Sequence, residues 1–141
     1  MTPSIGRAVK AAIITDLAAL LTTIPVLYSL PRDIPRQLVY GGRIDMDQRI
    51  SAGRTSAGDT TRDEDGTIAV HIRTRGTDAE AAEVAALSYG AYLEAYLAGT
   101  GPVVSGLTNA EVDNYELVSG PDDEGFSALL TYRIGIRATI Q

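Results

Sequence analysis

His71 is the sole histidine among the 141 residues, which excludes multi-histidine metal sites and leaves one candidate imidazole base. It stands between Val70 and Ile72 on the polar side of a strand-like run, with no Asp or Ser spaced to build a triad around it. Asp63-Glu64-Asp65-Gly66 has the composition of a calcium loop but lacks ligands at alternating positions and a distant bidentate glutamate, so it reads as an acidic turn. Asp45 and Asp47 could share a face, yet the sequence places no third ligand beside them. Gly41-Gly42 and Gly99-Thr100-Gly101-Pro102 match neither a P-loop nor a dinucleotide fingerprint, and the single lysine, Lys10, follows no phosphate-binding loop. Without cysteine there is no thiol nucleophile, disulfide or thiolate metal cluster. These residues assign no catalytic group, no cofactor and no metal site; the chain is expected not to be an enzyme.

The length fits one domain over residues 1–141, and a chain of this size buries roughly 70% of its unfolded surface. Hydrophobic residues at 45% and charged residues at 21% are those of a folded protein. The net charge of −6 argues against tight, non-specific DNA binding. That charge is unevenly spread. Residues 1–76 carry ten bases and eight acids, whereas residues 77–141 carry ten acids against Arg133 and Arg137 alone. Two faces of opposite sign could meet neighbouring copies or partners. The apolar run from Ala11 to Leu21 is broken by Thr15 and Asp16 and is too short to span a bilayer. Nothing marks export or an anchor, so the chain is expected to work where it is made or inside an assembly built there.

Thr2-Pro3 reads as an N-cap and first turn, and Ile5, Val9, Ile13, Leu17 and Leu21 recur every four residues until Pro25 stops the helix. Arg7, Lys10 and Asp16 fall on its polar side. Pro25, Pro31 and Pro35 mark an extended linker, followed by a strand from Gln37 to Tyr40 that bulges at Gly41-Gly42 and continues at Arg43-Ile44. Ser51 to Gly66 has no hydrophobic period and reads as a flexible arm between two strands. From Thr67 to Arg75 the pattern alternates as in a half-buried strand. Thr77-Asp78-Ala79-Glu80 fits a capping box opening a helix that ends at Gly99, and Gly90 within it suggests close approach to a sheet. A strand from Ala110 to Ser119 and a turn at 120–125 precede the alternating run Phe126 to Ile140. At about 3.4 Å per residue that run reaches roughly 50 Å, so it bends at Gly135 or reaches into a neighbour. The order α-β-β-α-β-β predicts an α+β fold, a mainly antiparallel sheet with two helices packed on one face.

The whole layout carries a resemblance. A long first helix, the strand QLVYGGRI, the excursion TTRDEDG, the strand TIAVHIRTRG, the helix TDAEAAEVAALSYGAYLEAYLAG and the hairpin AEVDNYELVSGPDDEGFSALLTYRIGIRATI follow in turn. This resembles the tail terminator (tail completion) proteins of long-tailed bacteriophages and related gene transfer agents. The resemblance implies a virion protein that forms a ring, typically a homo-hexamer, capping the tail tube at the neck end of the tail. Such a ring stops tube polymerisation and offers the docking face for head–tail joining. Its partners would be further copies of itself, the tail tube protein, the head–tail connector or stopper protein, and DNA passing through the channel without specific binding; no membrane is involved. Assembly would take place in the host cytoplasm.

Within that reading Arg54 and Arg62 of the arm, with Arg73, Arg75, Arg133 and Arg137, are candidates for subunit contacts. Two other readings stay open: another head–tail connector (head-closure or stopper) protein, and a small ligand-binding α+β domain using His71 and Tyr132.

Overall fold

The computed structural model describes residues 4–50 and 61–140. Its elements run α1 (Gly6–Leu20), β1 (Val26–Leu27), β2 (Leu38–Ile50), β3 (Arg62–Gly76), α2 (Ala79–Ala98), β4 (Leu107–Asp122) and β5 (Gly125–Ile140). The strands form one sheet in the order β1-β2-β3-β5-β4, antiparallel except for β1 beside β2. The α+β class stands as expected, with one strand added. β1 lies inside the proline-rich linker, where Val26 and Leu27 pair with Val39 and Tyr40, and the Val39 N–H donates to the Pro25 carbonyl at 2.9 Å. Two residues between prolines carry no period, and only the neighbouring strand makes them a strand.

Alternation in β3 and β5 builds the core. Ile68, Val70 and Ile72 share one face with Leu130, Tyr132, Ile134 and Ile136, and all are buried. Against that face pack Val9, Ile13 and Leu17 of α1 and Ala82, Ala86 and Leu93 of α2. Gly90 is where α2 comes closest: a Cβ there would collide with the Tyr132 hydroxyl and lie 2.9 Å from Leu130 Cδ2. β5 pairs with β3 from Phe126 through Ile140, so its length is matched by an equally extended neighbour within the chain.

Several boundaries differ from expectation, each for a tertiary reason. α1 ends at Leu20, with the Leu21 N–H donating to the Leu17 carbonyl at 2.8 Å, well before Pro25. Thr2-Pro3 lie outside the described residues. The acidic run 63–66 is not a turn: β3 begins at Arg62, and β2 pairs with it along that stretch as far as Ile50 opposite Arg62. Residues 62–66 of the expected arm are therefore strand, and residues 51–60 lie outside the described residues. Helix α2 is capped by Asp78 rather than Thr77, its Oδ1 accepting the Ala81 N–H at 2.7 Å.

Lys10 is buried rather than on the polar side of α1. Its Nζ donates to the Gly42 carbonyl at 2.8 Å and lies 4.0 Å from the centre of the Tyr28 ring. The β2 bulge between Gly41 and Ile44 interrupts the ladder there, and the ammonium satisfies a carbonyl within it. Burial lowers the Lys10 pKa.

Candidate interaction surface

Because side chains alternate along a strand, the helix layer takes one face of the sheet and leaves the other to different partners. Arg73, Arg75, Arg133 and Arg137 all project on the face away from the helices. In the β3–β5 register Arg73 stands opposite Leu129, Ala69 opposite Arg133, and Asp65 opposite Arg137. Four of the six arginines singled out in the sequence thus share a face. Arg62 is on the other face, its side chain 16% exposed and its Nε 3.2 Å from Glu64 Oε2. Arg54 lies outside the described residues.

Arg75, Arg133 and Arg137 differ in what holds them. Arg75 is engaged within its own chain at the β4–β5 turn: Nη2 meets Asp122 Oδ2 at 2.6 Å and Nη1 meets Glu124 Oε2 at 2.8 Å. Glu124 also takes Arg36 at 2.7 Å, so one cluster ties the linker, β3 and the hairpin tip together. The Glu124 N–H bound to its carboxylate holds Asp122 below the usual carboxylate range, and the Arg75 charge adds to this. Arg133 donates to Asn114 Oδ1 at 3.0 Å across the sheet. Arg137 is 77% exposed, with Nε 3.9 Å from an Asp65 carboxylate that Arg49 already meets at 2.6 Å. Exposed pairs of this kind contribute about 0–1 kcal/mol, which leaves Arg133 and Arg137 available to other partners.

His71 sits at the centre of this face. Its Nδ1 is 2.8 Å from Thr131 Oγ1, and its ring packs on Tyr40 with centroids 4.8 Å apart. Gly42 makes room for it, since a Cβ there would collide with the imidazole. Burial lowers the His71 pKa, with the charges of Arg133 and Lys10 acting in the same direction. Tyr132 occupies the opposite face among the core residues, its pKa pushed up to about 12 chiefly by burial. The sheet separates the two residues, so they do not line a common pocket. Among the described residues no group of three or more His, Asp or Glu is placed to hold a metal ion.

The face is chemically graded. Towards one end stand Asp45, Asp47, Asp63 and Asp65, joined from β4 by Glu111 and by Asp113, whose carboxylate a β-bulge lays against Gly135. Towards the other, Val118 and Leu129 form a cross-strand pair, 57% and 37% exposed. They help line a hollow of about 310 Å³ that also takes in Tyr40 and Arg73. Reading the sequence for charge overlooked this apolar pair; the available signal was two aliphatic residues in the outward register of their strands.

No family model and no curated protein matches this sequence. Among solved structures, the fold is similar to that of a chain in "Virion of native gene transfer agent (GTA) particle". The TM-score is 0.67 at 16% sequence identity, over 98% of this chain and 99% of that one. At that identity the likeness is one of fold.

Proposed function

We propose that this chain is a structural protein of a tailed, phage-like particle, and specifically the tail terminator. In this reading a homo-hexameric ring caps the tail tube, stops its polymerisation and presents the docking face for the head–tail connector. The observation that carries the proposal is the end-to-end fold likeness to a gene transfer agent virion chain, in which neither chain leaves a domain unmatched. The element order and the closing alternating strand support the narrower assignment through their resemblance to tail terminators. The exposed arginines of the sheet, Arg133 and Arg137 foremost, with Arg73 beside them, serve as contacts between subunits or to the tube. The acidic end of the same face suits a channel through which DNA slides, because repulsion prevents lasting phosphate contacts.

Deleting the gene tests the assignment. A terminator loss gives tails of uncontrolled length. Normal tails beside leaking heads would instead make the chain a head-closure or stopper protein.

A further inference from the structure

The sheet ends at β4, which pairs with β5 alone. None of the residues of β4 is buried, whereas β3 and β5 bury alternate residues along the core. An edge strand offers its outer N–H and C=O groups to any strand that can align with them, and bulges, proline or bases usually blunt it. In β4 the bulges fall in the first half, between Leu107 and Asn109 and between Val112 and Asn114. From Asn114 to Gly120 the register with β5 is continuous, with no proline and no base, and Tyr115 and Val118 are exposed. Pro121, without an N–H to offer, closes the stretch.

The edge of another strand is what matches such an edge, and this chain has two to offer. Beyond β1 the outer edge of β2 carries Asp45 and Asp47, and its arginines are already taken: Arg43 lies 3.6 Å from Asp45, and Arg49 2.6 Å from Asp65. The charges of β4 are Glu111, Asp113, Glu116 and Asp122, so pairing β4 with β2 sets acids beside acids with no free base between them. Pairing β4 antiparallel with itself, about a two-fold axis at Val118, avoids this. In that register Val118 stands opposite the partner's Val118, Glu116 opposite the partner's Gly120, and Asn114 opposite the partner's Asp122. Tyr115 meets the partner's Pro121. Glu111 and Asp113 lie before the regular stretch begins at Asn114. Other axes fit worse: one at Leu117 sets Val118 against a carboxylate, and those at Glu116 and Ser119 set carboxylate against carboxylate. With the axis at Val118, the cross-strand pair Val118–Leu129 continues into its symmetry copy, four aliphatic side chains in a row on the helix-free face.

We propose that two copies of this chain pair through β4, antiparallel and centred on Val118, joining their sheets into one. The contact covers Tyr115 and Val118, which the single chain leaves 54% and 57% exposed. An isologous contact closes on itself and does not propagate. It belongs to the free chain, is separate from the heterologous contacts that a ring requires, and does not depend on the virion reading.

The natural sequence has no cysteine, so introduced thiols report without background. Opposed residues of an antiparallel pair have Cα atoms about 4.5–5.5 Å apart, within disulfide reach. Under mild oxidation of the full-length chain, Val118→Cys alone should give a covalent dimer. Glu116→Cys and Gly120→Cys should each stay uncrosslinked alone and join when mixed; a Cβ at Gly120 meets nothing within 4 Å. Sedimentation velocity gives a readout without thiols. The unsubstituted chain should sediment as a dimer, and Val118→Lys, which sets two ammonium groups at the axis, as a monomer with an unchanged circular dichroism spectrum. Val118→Cys that stays monomeric under oxidation, Glu116→Cys that cross-links alone as readily, or an unsubstituted chain that is monomeric at high concentration would overturn the proposal. Its failure is distinguishable from that of the functional reading. A monomeric free chain whose gene deletion gives tails of uncontrolled length removes only this contact, and a dimer whose deletion leaves particles unchanged removes only the virion role.

Discussion

The carboxylate of Glu64 accepts the backbone N–H of Ile5 at 3.0 Å, across 59 positions of sequence. The same oxygen accepts the Ser4 hydroxyl at 2.8 Å, and the other takes Gln48 Nε2 at 3.1 Å and lies 3.2 Å from Arg62 Nε. Helix α1 has no acidic residue in its first turn and no side-chain cap at Ile5. A buried glutamate on β3 thus supplies the negative charge and the acceptor that the start of the helix requires.

Glu64→Ala should therefore destabilise the fold by about 1–3 kcal/mol, because the buried Ile5 N–H at the start of α1 loses its acceptor. Urea denaturation measures the loss, and amide exchange should rise first in α1. A change within about 0.5 kcal/mol, typical of ordinary surface substitutions, would contradict this role.

Gly90→Ala sets two effects of opposite sign against each other. Helix propensity alone favours alanine by about 1 kcal/mol. Overpacking against Tyr132 and Leu130 costs about 1–3 kcal/mol, and both neighbours are themselves fully buried. The variant should be less stable in thermal melts, and a gain in stability would show that the helix–sheet contact is looser than described.

The pH dependence follows from His71. Its pKa in the folded chain lies below the ordinary 6.5, so the unfolded state binds the extra proton first. Stability carries no penalty from this group well above 6.5, and a penalty grows as the pH falls through that value towards the folded pKa. An NMR titration of the imidazole should give a midpoint below 6.5, and His71→Gln should flatten the stability profile in that window. A midpoint above 6.5 would reverse the sign.

Arg133→Ala with Arg137→Ala removes two exposed charges from the sheet face. Thermal stability should change little, since their intrachain partners are an amide oxygen and a distant carboxylate. Assembly into particles should fall in a complementation assay. Undiminished particle yield would remove this pair from the proposed contacts.

Most of the sheet could be read from the sequence because burial on one face writes itself as alternation, as in Ile68-Val70-Ile72 and Leu130-Tyr132-Ile134. The tight approach of α2 was also legible, since a glycine inside a helix invites a packing reason. Glu64 was not legible. In the run Asp63-Glu64-Asp65-Gly66 it looks like its exposed neighbours, and only its register on β3 and a helix far upstream give it a role. Lys10 misled for the same reason, since its partner is a carbonyl freed by a bulge in another element. Among the arginines, residue type could suggest a contact, but only the fold separates Arg75, held by Asp122 and Glu124, from the exposed Arg137.

A tail terminator sits in the neck of a tailed particle. Immunogold electron microscopy of particles from the producing culture, with antibody to the recombinant chain, tests whether this chain does. Label is expected in a single band where tail meets head. Bare particles, with the label confined to soluble material, would contradict it.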